Sequence, residues 1–79
     1  MEVCRHKQTG KYFIYIEDTA RDQVLLITPL AEVKSLNQNQ FYEVEEVEED
    51  YLIQNHLMGR NQVAKFHKYM LSRNDENRE

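Results

Sequence analysis

The chain has 79 residues, of which 41% are hydrophobic and 30% are charged, and its net charge is −4. This length has room for one small domain, and the composition is too apolar for a disordered protein. Cys4 is the only cysteine, which excludes an internal disulfide, and the N-terminal residues do not resemble a signal peptide. The lone cysteine favours a reducing, cytoplasmic setting. Because no run approaches the ~20 apolar residues of a membrane span, we do not expect the protein to enter the membrane.

The N-terminal residues are predicted to form a β-hairpin. Residues 3–5 can open a first strand and residues 11–17 a second, and Gly10 can take the positive φ that a tight turn between them requires. The second strand is apolar on both faces, with Tyr12, Ile14 and Ile16 on one face and Phe13 and Tyr15 on the other. Such a strand is expected at the centre of a sheet or in a barrel.

Two more strands are predicted after a polar connection at residues 18–22. Residues 24–27 are the most strand-like run in the chain, and Pro29, which lacks a backbone donor, ends its ladder. Residues 30–36 can form either a fourth strand or a short helical turn, and we favour the strand. The polar residues 37–40 indicate an exposed loop.

The last part of the chain predicts a further strand and two helices. The strand begins at Phe41 and extends over residues 42–44, and Asp50 is placed to cap a short helix that Gly59 ends. Asn61 can cap a final helix of about three turns. Its apolar stripe consists of Val63, Phe66 and Met70.

These elements predict a mostly β or α+β fold. Four or five short strands and a C-terminal helix are compatible with a small, bent antiparallel sheet of the SH3-like barrel type, or with a more open sheet packed by the last helix. We favour the SH3-like barrel, as a fold-class analogy based on the number and length of the strands. The domain is expected to cover residues 1–73, followed by a disordered polar tail at residues 74–79.

No group of residues in the sequence indicates catalysis, a metal site or a cofactor. Cys4 and His6 can share one face of a strand, but zinc needs three or four ligands in paired spacings, and the other histidines are distant in sequence. The acids of residues 43–50 lack both the glycine turn of a calcium loop and a recognisable acid–base pair. We therefore expect a protein that is not an enzyme.

A surplus of aromatic residues and an acidic block favour a protein-binding module. The aromatic residues of the second strand cannot all face one small core, and they either recognise a partner or, as we slightly favour, lie under the C-terminal helix. Residues 41–59 contain six acidic residues and no Lys or Arg. The predicted partner-binding residues are Tyr12, Phe13, Tyr15, Glu43, Glu45 and Glu46.

Two alternatives remain open at this point. The first is a small RNA- or DNA-binding barrel that uses the basic side of the C-terminal helix, namely Arg60, Lys65, Lys68, Tyr69 and Arg73. Nucleic acid is the less expected partner, because phosphate binding usually requires a larger basic excess. The second is an accessory subunit or a small homo-oligomer whose apolar surface is buried on assembly.

Overall fold

The computed structural model describes the backbone of residues 1–76 and the side chains of residues 1–73. In chain order, the elements are β1 (Glu2–Arg5), β2 (Tyr12–Ala20), β3 (Gln23–Ile27), β4 (Val33–Asn37), a 3₁₀ helix (Gln38–Gln40), β5 (Glu45–Glu46), α1 (Glu49–Gln54) and α2 (Arg60–Glu76). The strands form one antiparallel sheet in the order β4-β3-β2-β1-β5. The predicted α+β fold, with an antiparallel sheet and a C-terminal helix, is confirmed.

A short connection forces this sheet to bend. β4 lies at one edge, and its last residue, Asn37, is separated by only the 3₁₀ helix from Phe41, which pairs with His6 at the other edge. Four residues span at most about 14 Å, whereas four strand spacings amount to about 19 Å. The sheet must therefore curl until its edges approach. β4 and β5 do not pair, so the sheet is bent but is not a closed barrel.

Each face of the bent sheet carries its own apolar cluster. The inner face, over which residues 38–44 fold, contains Cys4, Phe13, Tyr15, Val24, Leu26, Leu36 and Phe41. The helix face, which α1 and α2 cover, contains Val3, Ile14 and Ile27 packed against Leu52, Met58 and Val63. The predicted division of β2 into two apolar faces is thus confirmed, since Tyr12 and Ile16 pack on the helix side.

The turns differ in part from the predictions. Gly10 has a φ of 72°, as the first hairpin requires. The polar segment at residues 18–22 is not a simple connection, because β2 continues to Ala20 and only two residues form the turn to β3. The segment at residues 30–36 resolves as the favoured strand, which begins at Val33. The expected loop at residues 37–40 is mostly a 3₁₀ turn, capped by the side chain of Asn37.

The predicted boundaries of α1 are wrong at both ends. Glu48 occupies the N-cap position without a side-chain hydrogen bond, and Asp50 lies in the first turn, where its charge complements the helix dipole. The helix ends at Gln54, well before Gly59, because His56 adopts a left-handed conformation with a φ of 56°. The amide of the next residue, Leu57, bonds back to the carbonyl five residues earlier, as in a Schellman motif.

α2 begins at Arg60, so Asn61 lies inside the helix and is not its cap. Its predicted apolar stripe is confirmed, since Val63 is buried and both Phe66 and Met70 are half-buried. The helix continues to Glu76, and the first three residues of the predicted tail are therefore helical. The remainder of that tail, residues 77–79, lies outside the described residues.

A buried glutamine fastens α2 to the sheet. Gln62 is only 2% exposed, and its Nε2 donates to the carbonyl oxygens of Tyr12, at 2.9 Å, and Ile27, at 3.1 Å. These two carbonyls belong to the first residue of β2 and the last residue of β3. One side chain thus joins the helix to two strands, and its amide nitrogen makes two hydrogen bonds to the sheet.

Replacement of Gln62 should weaken the whole domain. We expect Gln62→Ala to lower the free energy of unfolding by about 2–4 kcal/mol, because the buried carbonyls lose a donor and a cavity forms. Gln62→Met keeps most of the volume but not the donor, and should still cost about 1–2 kcal/mol. Urea unfolding measures both effects. Gln54→Ala, the same change on an exposed helical site, is the control, and a Gln62→Met variant as stable as the wild type contradicts the role of the hydrogen bonds.

Candidate functional site

A pocket of about 240 Å³ opens on the inner face of the sheet. Its apolar lining includes Val24 and Phe41, which are 4% and 6% exposed, and the buried thiol of Cys4. Asp18 and Glu43 add two carboxylates to the lining, whereas no lysine, arginine or histidine lines it. The pocket therefore combines an apolar floor with negatively charged side chains.

A β-bulge in β2 brings Asp18 to this pocket. Tyr15 pairs with Leu26, but the next pair is Glu17 with Leu25. Ile16 is thus an extra residue in β2 that shifts the pairing by one position. Strict alternation places Asp18 on the same face as Ile16. The bulge instead places it on the face of Tyr15 and opposite Val24.

A second irregularity, in the chain that follows the 3₁₀ helix, forms the rim. Phe41 pairs with His6 and Glu45 pairs with Val3. The chain thus advances by four residues, from 41 to 45, while the chain opposite it advances by only three, from 3 to 6. Residues 42–44 contain the extra residue and are exposed. The predicted strand from Phe41 through residues 42–44 is therefore wrong, because only residues 45–46 form β5. The kink turns Glu43 towards the pocket.

The pocket lies in a negative electrostatic field. Burial, together with the charges of Glu2, Glu45 and Asp18, which act in the same direction, raises the pKa of the Cys4 thiol to about 11. Burial also raises the pKa of Tyr15, together with a hydrogen bond in which its hydroxyl donates to Asp18 Oδ1 at 3.0 Å. Both groups thus resist becoming anions, as expected where carboxylates converge.

Several of these carboxylates have no cationic partner in the described part of the chain. Among residues 1–73, the salt bridges engage Glu17, Glu32, Glu46 and Glu49. Asp18, Glu43 and Glu45 form none of them. No salt bridge within residues 1–73 therefore neutralises these three carboxylates, and the nearby cations Arg5 and Lys7 lie instead over the ring of Tyr42, 4.7 and 5.9 Å from its centroid.

The structure distributes the six residues predicted to bind a partner over different places. Tyr15 and Glu43 line the pocket, whereas Tyr12 packs on the helix face, so the expected cover by the helix applies only to Tyr12. Phe13 packs edge-on against Phe41, with ring centroids 4.9 Å apart.

The two acids of β5 also differ from each other. Glu45 is exposed and contributes to the field at Cys4. Glu46 instead accepts a 2.6 Å hydrogen bond from the amino group of Met1. The six residues therefore do not form one continuous surface, and the pocket gathers only part of them.

The basic residues of α2 converge only in part. Lys65, Tyr69 and Arg73 follow one another at four-residue spacing and Lys68 neighbours Lys65, whereas Arg60 lies about 140° from Lys65 around the helix axis. Arg73 is already paired with Glu17 of β2, at 2.9 Å. This arrangement does not favour nucleic-acid binding.

Cys4 and His6 both belong to the inner side of the sheet, but they are engaged separately. The ring of His6 stacks on Phe13 and contacts the side-chain oxygen of Thr9 at 3.1 Å. Within the described residues, no group of three or more His, Cys, Asp and Glu side chains is placed to hold a metal ion.

The most informative pocket residues were not predicted from the sequence. The sequence pattern predicts only a connection at Asp18 and only a strand at Val24. The alternation of side chains carries no signal for a bulge, so the sequence offered no means of placing Asp18 beside Tyr15.

Comparisons with protein-family models, with curated proteins and with solved structures find no match to this chain. None of the helices in the described residues is both long and apolar enough to cross a membrane.

The pocket electrostatics predict a poorly reactive thiol. The pKa of Cys4 rises from 9.0 to about 11, so its reactive thiolate is about a hundredfold rarer at pH 8. We expect iodoacetamide to alkylate the native protein at least about a hundredfold more slowly than the urea-unfolded chain. Asp18→Asn and Glu45→Gln should each accelerate the native reaction, whereas the exposed Glu48→Gln should not. Equal rates before and after unfolding contradict this description.

The same thiol makes stability depend on alkaline pH. Because the pKa of Cys4 is raised on folding, the neutral thiol favours the folded state fully below about pH 9, and this contribution is lost as the pH approaches 11. Between these values, the unfolding free energy of the wild type should fall more steeply than that of Cys4→Ser. Parallel pH profiles for the two proteins would count against the shift.

Proposed function

We propose that this chain is a non-enzymatic interaction module that binds a protein partner at the inner pocket and its acidic rim. The observation that carries the proposal is the combination of an apolar floor with carboxylates that have no cationic partner among residues 1–73. A buried apolar centre surrounded by polar groups is the usual organisation of a recognition site.

The chemistry of the pocket favours binding over catalysis. Its potential nucleophile, Cys4, has a pKa of about 11 and therefore remains a neutral thiol at physiological pH. A catalytic cysteine needs an electropositive setting or an adjacent base, and the neighbouring charges here are negative. As a free thiol in the core, Cys4 also fits the cytoplasmic setting that we propose for the module.

We further propose that the bent sheet is an open variant of the SH3-like barrel type. The features that support this proposal are the 3₁₀ helix between β4 and β5 and the pairing of β1 with both β2 and β5. This fold analogy carries no weight for function, which we argue only from the pocket.

Position-specific photo-crosslinking in cells that produce the protein tests the proposal. A benzophenone amino acid replaces either Val44, at the pocket, or Leu71, which is 65% exposed on α2. We expect Val44 to give a discrete crosslinked protein that Leu71 does not give. No product from Val44, or the same products from both positions, would overturn the proposal.

The purified partner then tests the acidic rim. Glu43→Gln combined with Glu45→Gln should weaken binding at least fivefold, and raising the salt from 0.05 to 0.5 M should remove most of this difference, because exposed charges are screened over roughly 8 Å at physiological ionic strength. Glu48→Gln, which is exposed and outside the pocket, is the matched control. Binding that responds neither to salt nor to the double variant contradicts the role of the acids.

A further inference from the structure

We propose that the inner pocket receives one cationic side chain, a lysine or an arginine, from an extended segment of the partner protein, with Asp18 and Glu43 as its counter-ions. This inference rests on the proposed function and adds the chemical identity of the guest. It follows from the size of the pocket, from the order of apolar and charged groups in it, and from two lining carboxylates that form no salt bridge within residues 1–73.

The size of the pocket selects a single side chain. Its volume is about 240 Å³, whereas pockets for drug-sized ligands and cofactors usually measure about 300–1,000 Å³. A ligand of nucleotide size would therefore extend well beyond the pocket. One long side chain, entering from a segment that lies across the rim at residues 42–44, matches the available space.

The lining matches the two parts of a basic side chain. Lysine and arginine have an apolar stem and a charged head, and they bury the stem against apolar surface while the head reaches polar groups. Val24 and Phe41 offer the apolar surface, and Asp18 and Glu43 offer the carboxylates. The hydroxyl of Tyr15 donates to Asp18 and fixes the position of one of these acids.

Other guests fit the pocket less well. An anion is repelled by the carboxylates that line or surround the pocket, including Glu2 and Glu45, whose charges act on Cys4. A purely apolar side chain would desolvate Asp18 without replacing its interactions with water, which is costly. A cationic head both replaces that hydration and neutralises the charge.

Four short peptides test the nature of the guest. Each is blocked at both ends and has the sequence Gly-Ala-X-Ala-Gly, in which X is arginine, lysine, citrulline or norleucine. Citrulline and norleucine closely reproduce the shapes of arginine and lysine without the charge. Each peptide is titrated into the isotopically labelled full chain, and amide chemical shifts are followed by NMR.

We expect the arginine and lysine peptides to shift the amides of Cys4, Tyr15 and Val24 saturably, and the neutral peptides to bind at least tenfold more weakly. Asp18→Asn and Glu43→Gln should each weaken the binding of the basic peptides at least threefold, whereas Glu48→Gln should leave it unchanged. Preserved amide spectra of the free variants establish that they fold.

Three outcomes would overturn the inference. The neutral peptides could bind as tightly as the basic ones, the basic peptides could shift only the amides of residues 46–50, or no peptide could give a saturable shift. If Val44 still crosslinks a partner while any of these holds, the proposed function survives and only the cationic guest is wrong. If Val44 crosslinks no partner, the proposed function itself fails.

Discussion

The short connection between β4 and Phe41 is the constraint on which the rest of this structure depends. Because only the 3₁₀ helix separates the end of β4 from Phe41, which pairs with His6 at the opposite side of the sheet, the sheet has to curl, and the curl produces an inner and an outer surface. The outer surface is broad enough for two helices, and Gln62 holds the second of them in place. The inner surface is closed only in part, by residues 38–44, and this incomplete closure leaves the pocket.

The pocket depends on irregular pairing rather than on a loop. An extra residue in β2 shifts its ladder with β3, another in residues 42–44 shifts the pairing with β1, and these shifts bring Asp18 and Glu43 to one cavity. Regular strands would direct these acids differently, because side chains alternate strictly between the faces of a regular sheet. The combination of apolar and negatively charged side chains in the pocket is therefore determined by the path of the backbone as well as by the residue types.

The sequence was sufficient for features that depend on local periodicity. The apolar runs of β2 and β3, the turn at Gly10 and the stripe of α2 repeat at strand or helix spacing, and each was found in its predicted place. The contacts of Gln62 could not be predicted in the same way, because they join residues 35 and 50 positions apart. Asp18 and the irregular segment at residues 42–44 were missed for a related reason, since a bulge is decided by the neighbouring strand.

The smallest strand has a consequence for the dynamics of the pocket. β5 contains only two residues, and its pairing sets Glu46 directly opposite Glu2, next to the amino group of Met1 that bonds to Glu46. Short pairings belong to the segments that open locally before the whole domain unfolds. Because this pairing borders residues 42–44 at the pocket, its local opening would widen the entrance without global unfolding.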